Sequence, residues 1–224
     1  MRYSSNSKFG VIFDCDGTLV DTLEDIAAAM NRSLNLHGFP PVPLEKYPAM
    51  VGWGIVKLAQ LALPEEARSD ETIQAAAADA VRIYNEQPLI KTKPYPGMRE
   101  LAAELKSRKI KTAVLSNKPD PVLAQVIEGL FPAGTFNAVR GERPGGTRKP
   151  DPALVWDLLV ELNMSPHNTL FMGDSEIDIE TARNAGCYPL GVNWGYRTRE
   201  ELEAAGAARI IDRPDEVWEL LGRR

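Results

Sequence analysis

The chain contains few cysteines and histidines, the residues that most often build disulfide frameworks and soft-metal sites. Its 224 residues include two cysteines, Cys15 and Cys187, and two histidines, His37 and His167. Two cysteines far apart in sequence argue against a disulfide scaffold and suit a reducing compartment, so we expect a cytoplasmic protein. Because these residues form no cluster in the sequence, any bound metal is expected to have oxygen ligands.

The sequence also lacks a basic excess and a long apolar run. Its formal net charge is −5, which provides no electrostatic footprint for nucleic acid. The first apolar stretch begins at Phe9 and meets Asp14 within a few residues, which is too short for a signal peptide or a membrane span. We therefore expect neither a nucleic-acid partner nor a membrane partner. The sequence leaves the choice between monomer and homodimer open.

The most informative stretch is residues 9–21, FGVIFDCDGTLVD. A short apolar run bounded by turn residues predicts a fully buried strand, and Asp14 and Asp16 stand where that strand ends. Gly17 permits a sharp turn. Two carboxylates within three residues repel each other, and a folded chain tolerates that repulsion best around a cation. In open α/β sheets, ligands bind at the carboxyl ends of the strands.

The rest of the pattern predicts two structural units. Residues 20–91 read as helices joined by a proline-rich link, whereas the chain from residue 98 onwards alternates between helix and strand, with residues 92–97 as a linker. Such alternation predicts an α/β fold, a Rossmann-like parallel sheet with helices on both faces. We expect residues 1–19 and 92–224 to form this core, and residues 20–91 to form a small inserted α-helical cap domain.

Polar residues follow three of the predicted strands, and a lysine lies in a nearby loop. Asp14, Ser116 and Asp174 stand at strand ends, and Lys149 precedes the third long helix of the core. Parallel strands bring their carboxyl ends to one edge, so these side chains are expected to converge. Carboxylates suit Mg²⁺, which completes its coordination with water and phosphate oxygens. A phosphoryl group is the ligand that satisfies carboxylate-bound metal, hydroxyl and lysine together.

This arrangement suggests a chemical role for each of the first two acids. Asp14 is ionised at neutral pH and can attack phosphorus to form an aspartyl-phosphate. Asp16 can protonate the leaving alkoxide and then deprotonate the attacking water. Thr18 is expected to orient Asp16 through a hydrogen bond.

Four motifs in this order resemble the haloacid dehalogenase superfamily of aspartate-nucleophile phosphatases. They are DCDGT at residues 14–18, Ser116 after the strand KTAVL, Lys149 within RKPDP, and GDSEID at residues 173–178. The resemblance implies the roles proposed above for Asp14 and Asp16. It also implies Mg²⁺ ligands from Asp14, the backbone carbonyl of Asp16, and Asp174, with Asp178 orienting this acidic site through water. The side chains expected to bind the phosphoryl group are Thr18, Ser116, Asn117 and Lys149.

Within that family, the stretches VGWG, LSNKPD and TRKPDP are most similar to phosphoglycolate phosphatases. The expected reaction is therefore Mg²⁺-dependent hydrolysis of a small phosphorylated metabolite, with 2-phosphoglycolate the leading candidate. Gly52, Trp53 and Lys118 are expected to contact the carboxylate of that substrate. Three alternatives stay open: a sugar-phosphate mutase of the β-phosphoglucomutase type, a phosphatase for a sugar phosphate or nucleotide, and a phospho-accepting receiver without turnover.

Overall fold

The computed structural model describes residues 9–222. Within them the chain forms eight strands: β1 (Gly10–Phe13), β2 (Val20–Asp21), β3 (Lys93–Pro94), β4 (Lys111–Pro119), β5 (Ala138–Glu142), β6 (Thr169–Gly173), β7 (Tyr188–Val192) and β8 (Arg209–Ile211). Six of them form one sheet in the order β5-β4-β1-β6-β7-β8, and every pairing in that sheet is parallel. The predicted parallel α/β sheet is confirmed.

The same residues contain nine α-helices: α1 (Leu23–Leu36), α2 (Ile55–Ala62), α3 (Asp70–Glu86), α4 (Met98–Ser107), α5 (Asp120–Leu130), α6 (Ala153–Glu161), α7 (Glu176–Ala185), α8 (Arg199–Ala205) and α9 (Val217–Leu221). No helix between residues 9 and 222 combines the length and apolarity needed to cross a membrane.

Strand β1 occupies the middle of the sheet and is buried on both faces. Val11 and Phe13 point into a core cluster that also contains apolar residues of α4, α5 and α9. Ile12 points into a second cluster, formed with residues of α6 and α7. Alternating side chains of a strand face opposite sides of a sheet, so helices cover both faces, as predicted. The flanking register, Phe13 opposite both Val114 and Met172, places the end of β1 beside the end of β6 and beside the part of β4 that leads into Ser116.

The three helices between β2 and β3 pack around a third apolar cluster, which Val122 of α5 joins from the core. It includes Met30 and Leu34 of α1, Leu58 of α2, and Ile73 and Ala76 of α3. At the base of this insertion β2 pairs with β3 in antiparallel fashion, so the chain leaves and re-enters the core at adjacent points. The segment predicted as a linker thus includes a short strand.

The carboxylate of Asp25 fastens the same base by accepting hydrogen bonds from Lys91 N at 2.9 Å, Thr92 N at 2.8 Å and Thr92 Oγ1 at 2.7 Å. These bonds tie the first turn of α1 to the returning chain.

Two element boundaries differ from the sequence-based expectation. Strand β4 continues past Ser116 to Pro119, because after a register shift it resumes pairing with β5 at Glu142. The apolar run at residues 136–139 predicts a strand that begins at Phe136, but β5 begins at Ala138, and Phe136 packs edge-on against Phe13 and Phe131. Apolar packing rather than strand pairing therefore explains that aromatic residue.

Candidate active site

Three carboxylates meet where β1 and β6 end. Asp14 follows β1, and its backbone N–H donates to Met172 O in the neighbouring strand at 2.9 Å. Asp174 follows β6, and Asp178 lies in the first turn of α7. All three are buried, and each contributes one oxygen to a set whose members lie within 4.8 Å of one another. The predicted convergence at the strand ends therefore occurs.

Two glycines permit this close packing around Asp174. Gly17 has a φ of +81°, and a Cβ there would lie 2.2 Å from Asp174 Oδ2. A Cβ on Gly195 would lie 2.2 Å from Asp174 Cβ. Because real Cβ atoms do not approach so closely, any side chain at either position displaces the carboxylate.

Lys149 is the cation of this cluster. Its Nζ donates to Asp14 Oδ1 at 2.7 Å and to Asp178 Oδ1 at 2.6 Å, and the residue is 3% exposed. The other oxygen of Asp178 accepts from Ser175 N at 3.1 Å and Ser175 Oγ at 2.7 Å. Asp178 therefore acts on the site through a direct ion pair with Lys149, rather than only through water as expected.

Asn117 fixes the backbone of Lys149. Its Oδ1 accepts from Lys149 N at 2.9 Å, and its Nδ2 donates to Lys149 O at 3.1 Å and to Gly52 O at 3.0 Å. The amide expected to contact phosphate is thus engaged with backbone groups at both ends. Its position explains why the lysine points into the carboxylate cluster.

The balance of charge explains why this site suits a cation. Burial and the nearby Asp178 raise the pKa of Asp14 well above its ordinary range, although Lys149 opposes that shift. The same two causes raise the pKa of Asp174 to about 7. Burial lowers the pKa of Lys149, but its two carboxylate partners outweigh burial and raise it, so the ammonium stays charged. One lysine leaves two of the three carboxylate charges unbalanced, and a divalent ion on hard oxygen ligands would balance those two.

Asp16 stands apart from that cluster and has its own partners. Its Oδ1 accepts from Thr22 Oγ1 at 2.6 Å and lies 3.1 Å from Lys118 Nζ. The expected hydrogen bond from Thr18 to Asp16 is absent from residues 9–222, since Thr18 Oγ1 donates to Asp174 Oδ1 at 3.1 Å. The turn at Gly17 directs Thr18 towards Asp174. Thr22, rather than Thr18, donates the hydrogen bond that orients Asp16.

Ser116 and Lys118 lie on the same extension of β4. Ser116 is 4% exposed, and its hydroxyl accepts from Lys118 N at 3.2 Å. Lys118 Nζ donates to Tyr84 OH at 3.1 Å and lies 4.4 Å from the centre of that ring. Tyr84 comes from α3 of the insertion, so this contact joins the helical unit to the sheet edge.

A loop of the insertion, residues 50–54, lines the same cavity as Asp14 and Asp16. Trp53 Nε1 donates to Glu176 Oε1 at 3.2 Å, so the indole is tied to the start of α7. Arg197 donates to Glu176 Oε2 at 2.9 Å, to Val51 O at 3.1 Å and to Pro48 O. The carbonyl oxygen of Gly52 accepts the hydrogen bond from Asn117 Nδ2 described above, and Gly52 has a φ of +121°. The loop is therefore held by side chains from three separate segments.

Several of these residues are not predicted from the sequence: Thr22, Tyr84, Glu176, Tyr196 and Arg197. Tyr196 contributes through its backbone, because its N–H donates to Asp174 Oδ2 at 2.7 Å, and its hydroxyl meets Thr22 Oγ1 at 3.1 Å. For Tyr196 and Arg197 the sequence does hold a signal, the stretch WGYR at residues 194–197, since glycine between aromatic residues after a strand indicates a functional loop.

The covered space is a cavity of about 60 Å³. Asp14, Asp16, Ser116, Lys118 and Lys149 form its polar side. Apolar residues of the insertion and α5 form the opposite wall: Ile26, Ala29, Val51, Ile55, Leu58, Ala80, Val81 and Val122. Such a cavity accepts a small ligand with one strongly charged end.

Comparison with known proteins identifies the family. The profile described as haloacid dehalogenase-like hydrolase matches residues 11–192. The chain belongs to the haloacid dehalogenase-like hydrolases. The predicted family and the predicted enzyme class, a phosphatase, are both confirmed.

Three relatives of this hydrolase illustrate the similarity. It is 32% identical over 214 residues to the phosphoglycolate phosphatase of Aquifex aeolicus, covering 94% of this chain and 95% of the relative. It is 33% identical over 208 residues to that of Rhodospirillum rubrum, covering 90% and 86%. A crystal structure from Lactobacillus delbrueckii subsp. bulgaricus, named as a candidate phosphoglycolate phosphatase, superposes with a TM-score of 0.89 at 30% identity, covering 97% of this chain and all of that one.

Proposed function

We propose that this hydrolase is a Mg²⁺-dependent phosphomonoesterase that cleaves 2-phosphoglycolate through an aspartyl-phosphate on Asp14. The observation that carries the proposal is the position of Lys149 Nζ, 2.7 Å from Asp14 Oδ1, in a cluster of buried acids where two adjacent strands end. A carboxylate attacks a negatively charged ester only where positive charge offsets the repulsion. This lysine supplies part of that charge.

The residues present fit a divalent cation. Asp14 and Asp174 offer buried carboxylate oxygens within 4.8 Å of each other, and hard oxygen donors are what Mg²⁺ prefers. We infer that these two carboxylates and the backbone carbonyl of Asp16 hold the ion. When bound, Mg²⁺ supplies the positive charge that offsets the oxygens of the phosphoryl group.

The side chains divide the two half-reactions between them. Asp14 attacks phosphorus while Lys149 and the Ser116 hydroxyl hold the phosphoryl oxygens. Asp16, oriented by Thr22 through the 2.6 Å hydrogen bond, gives its proton to the leaving alkoxide. Asp16 then takes a proton from the water that attacks the aspartyl-phosphate. Thr18 donates a hydrogen bond to Asp174 and so helps to position that carboxylate in the acidic cluster.

We infer that the insertion, residues 20–91, is a cap domain that closes over this chemistry. Among the described buried residues, all of its apolar cluster except Val122 comes from the insertion, and this and the paired strands at its base support a unit that moves as one body. Its loop carries Gly52 and Trp53 over the carboxylates, where closure excludes water from the phosphoryl group.

Two observations support 2-phosphoglycolate as the substrate. The curated relatives above carry that activity in their names at 32% and 33% identity. The cavity is small, and the two lysines of its described lining suit a phosphate at one end and a carboxylate at the other. Lys149 Nζ lies 2.7 Å from Asp14, the proposed nucleophile, and Lys118 Nζ lies 3.1 Å from Asp16, the proposed acid for the leaving group.

The test is a panel of phosphorylated metabolites assayed for phosphate release with and without Mg²⁺. The panel includes 2-phosphoglycolate, sugar phosphates and nucleotides, with product analysis for isomerised sugar phosphates. The proposal expects the highest kcat/KM for 2-phosphoglycolate and no activity after chelation. An isomerised product without free phosphate would identify a mutase instead.

A further inference from the structure

Tyr84 and Lys118 form a buried polar contact between the insertion and the sheet edge, and the chemical steps proposed above give Tyr84 no role. Lys118 is 5% exposed and Tyr84 is 7% exposed, and both line the cavity. Their hydrogen bond of 3.1 Å joins α3 to the end of β4. A buried lysine and a buried hydroxyl at the edge of an otherwise apolar wall point to a ligand group with matching acceptors.

Counting donors shows what this pair can still bind. An ammonium has three N–H groups; Asp16 Oδ1 and Tyr84 OH take two of those of Lys118, which leaves one. The Tyr84 oxygen accepts from Lys118, so its own O–H stays available as a donor. Burial raises the pKa of Tyr84 to about 12, which keeps that proton in place at neutral pH. One N–H and one O–H together suit the two oxygens of a carboxylate.

The position of the pair fits the second charged group of the proposed substrate. Lys118 Nζ lies 3.1 Å from Asp16, the residue that serves the leaving oxygen. In a phosphorylated 2-hydroxy acid, the carboxylate is separated from that oxygen by a single carbon. A carboxylate placed there meets the polar pair, because the insertion residues Ile26, Ala29, Ala80 and Val81, which line the same cavity, offer no side-chain donor.

We propose that Tyr84 O–H and Lys118 Nζ together bind the substrate carboxylate, which makes Tyr84 a specificity-determining residue supplied by the inserted helices. This inference rests on the proposed function. It goes beyond that function in assigning the recognition of the acid to a tyrosine of the insertion. It also couples substrate choice to the position of the insertion, because the clamp is complete only when α3 lies against β4.

The test compares two substrates that differ in the carboxylate alone. Wild type and Tyr84→Phe are assayed on 2-phosphoglycolate and on 2-hydroxyethyl phosphate, which keeps the two-carbon alcohol and lacks the acid. Phenylalanine keeps the ring over Lys118 and removes the donor. We expect the ratio of the two kcat/KM values to fall by about 10- to 100-fold, mainly through KM for 2-phosphoglycolate, since a hydrogen bond to a charged group is lost.

Tyr47→Phe is the matched control, because Tyr47 is a buried tyrosine of the same insertion whose hydroxyl donates to Asn31 Oδ1 at 2.8 Å, away from the cavity. Its substrate ratio is expected to match wild type. Lys118→Gln provides a second variant, and the same ratio is expected to fall for it.

The outcomes separate the two levels of the proposal. A wild-type enzyme that does not hydrolyse 2-phosphoglycolate overturns the proposed function. A wild-type enzyme that does, with an unchanged ratio in Tyr84→Phe, overturns the carboxylate clamp alone. An equal loss on both substrates also overturns the clamp, because it shows a structural role for the hydroxyl.

Discussion

Thr22 donates a hydrogen bond of 2.6 Å to Asp16, across the sharp turn at Gly17. Thr22 also meets Tyr196 through two contacts: its N–H donates to Tyr196 OH at 3.2 Å, and the two hydroxyls lie 3.1 Å apart. The proposed general acid is therefore oriented by a threonine that is itself held from the loop after β7.

The first prediction concerns this threonine. Thr22→Val keeps the side-chain shape and removes the hydroxyl, so Asp16 loses its short hydrogen bond. We expect kcat to fall by about 10-fold or more with little change in KM, because the bond acts on proton transfer rather than on binding. Steady-state kinetics measure both constants. Thr112→Val is the control: Thr112 is a buried threonine of β4, far from the carboxylates, and unchanged kcat is expected.

The second prediction concerns the residue that holds the lysine backbone. Asn117→Ala removes three hydrogen bonds to Lys149 and Gly52 and leaves buried backbone groups unpaired. We expect a loss of about 2 to 4 kcal/mol in the free energy of unfolding, from the burial of those groups, and a large fall in kcat. Urea unfolding and kinetics measure the two effects.

Asn31→Ala separates stability from positioning. Asn31 lies in α1 and also pairs with backbone groups, the N–H and carbonyl of Val42. It is expected to lose similar stability while retaining kcat below its unfolding temperature. Equal kinetic losses in both variants would contradict a specific role for Asn117.

The third prediction follows from the pKa of Asp174, which burial and Asp178 raise to about 7. In the unfolded chain an aspartate titrates near about 3.9. Between these values the folded protein holds a proton that the unfolded chain has released, so this group makes the metal-free protein less stable as pH rises from about 4 to about 7. Mg²⁺ binds the deprotonated form and reverses the loss.

We therefore expect Mg²⁺ to raise the melting temperature more at about pH 8 than at about pH 5. Differential scanning fluorimetry with Mg²⁺ or chelator at each pH measures the difference. Asp174→Asn is expected to abolish the extra rise in melting temperature that Mg²⁺ gives at the higher pH. A Mg²⁺ effect of equal size at both pH values would contradict the assignment.

The fourth prediction concerns the loop over the site. Arg197→Lys keeps the charge but not the planar group that reaches Glu176, Pro48 O and Val51 O at once. We expect KM to rise by about 10-fold because the loop closes less often over the substrate. Arg199→Lys is the control, since Arg199 pairs with Asp212 at the surface. A similar rise in KM in both variants would contradict a specific role for the contacts that Arg197 makes with the loop.

Much of the site follows from the sequence, because strand ends are local features. Asp14, Ser116 and Asp174 each follow an apolar run, and a parallel sheet brings such positions to one edge. The positions of Asp14, Lys149 and Asp174 agree with that expectation.

The remaining contacts depend on tertiary structure. Asn117 bonds to backbone groups of residues 52 and 149, and Arg197 reaches residues 48, 51 and 176. No local pattern encodes which distant carbonyl an amide or guanidinium meets. For the same reason Thr18 was expected beside Asp16, whereas the turn at Gly17 brings Thr22 there.

The central claim is tested most directly by trapping the phosphorylated enzyme. Asp16→Asn, mixed with 2-phosphoglycolate and Mg²⁺ and quenched in acid, is analysed by intact mass spectrometry and peptide mapping. The mechanism predicts a chain that has gained one phosphoryl group, located on Asp14 and absent from the Asp14→Asn, Asp16→Asn double variant. A phosphoryl group on another residue, or its retention in the double variant, would contradict Asp14 as the nucleophile.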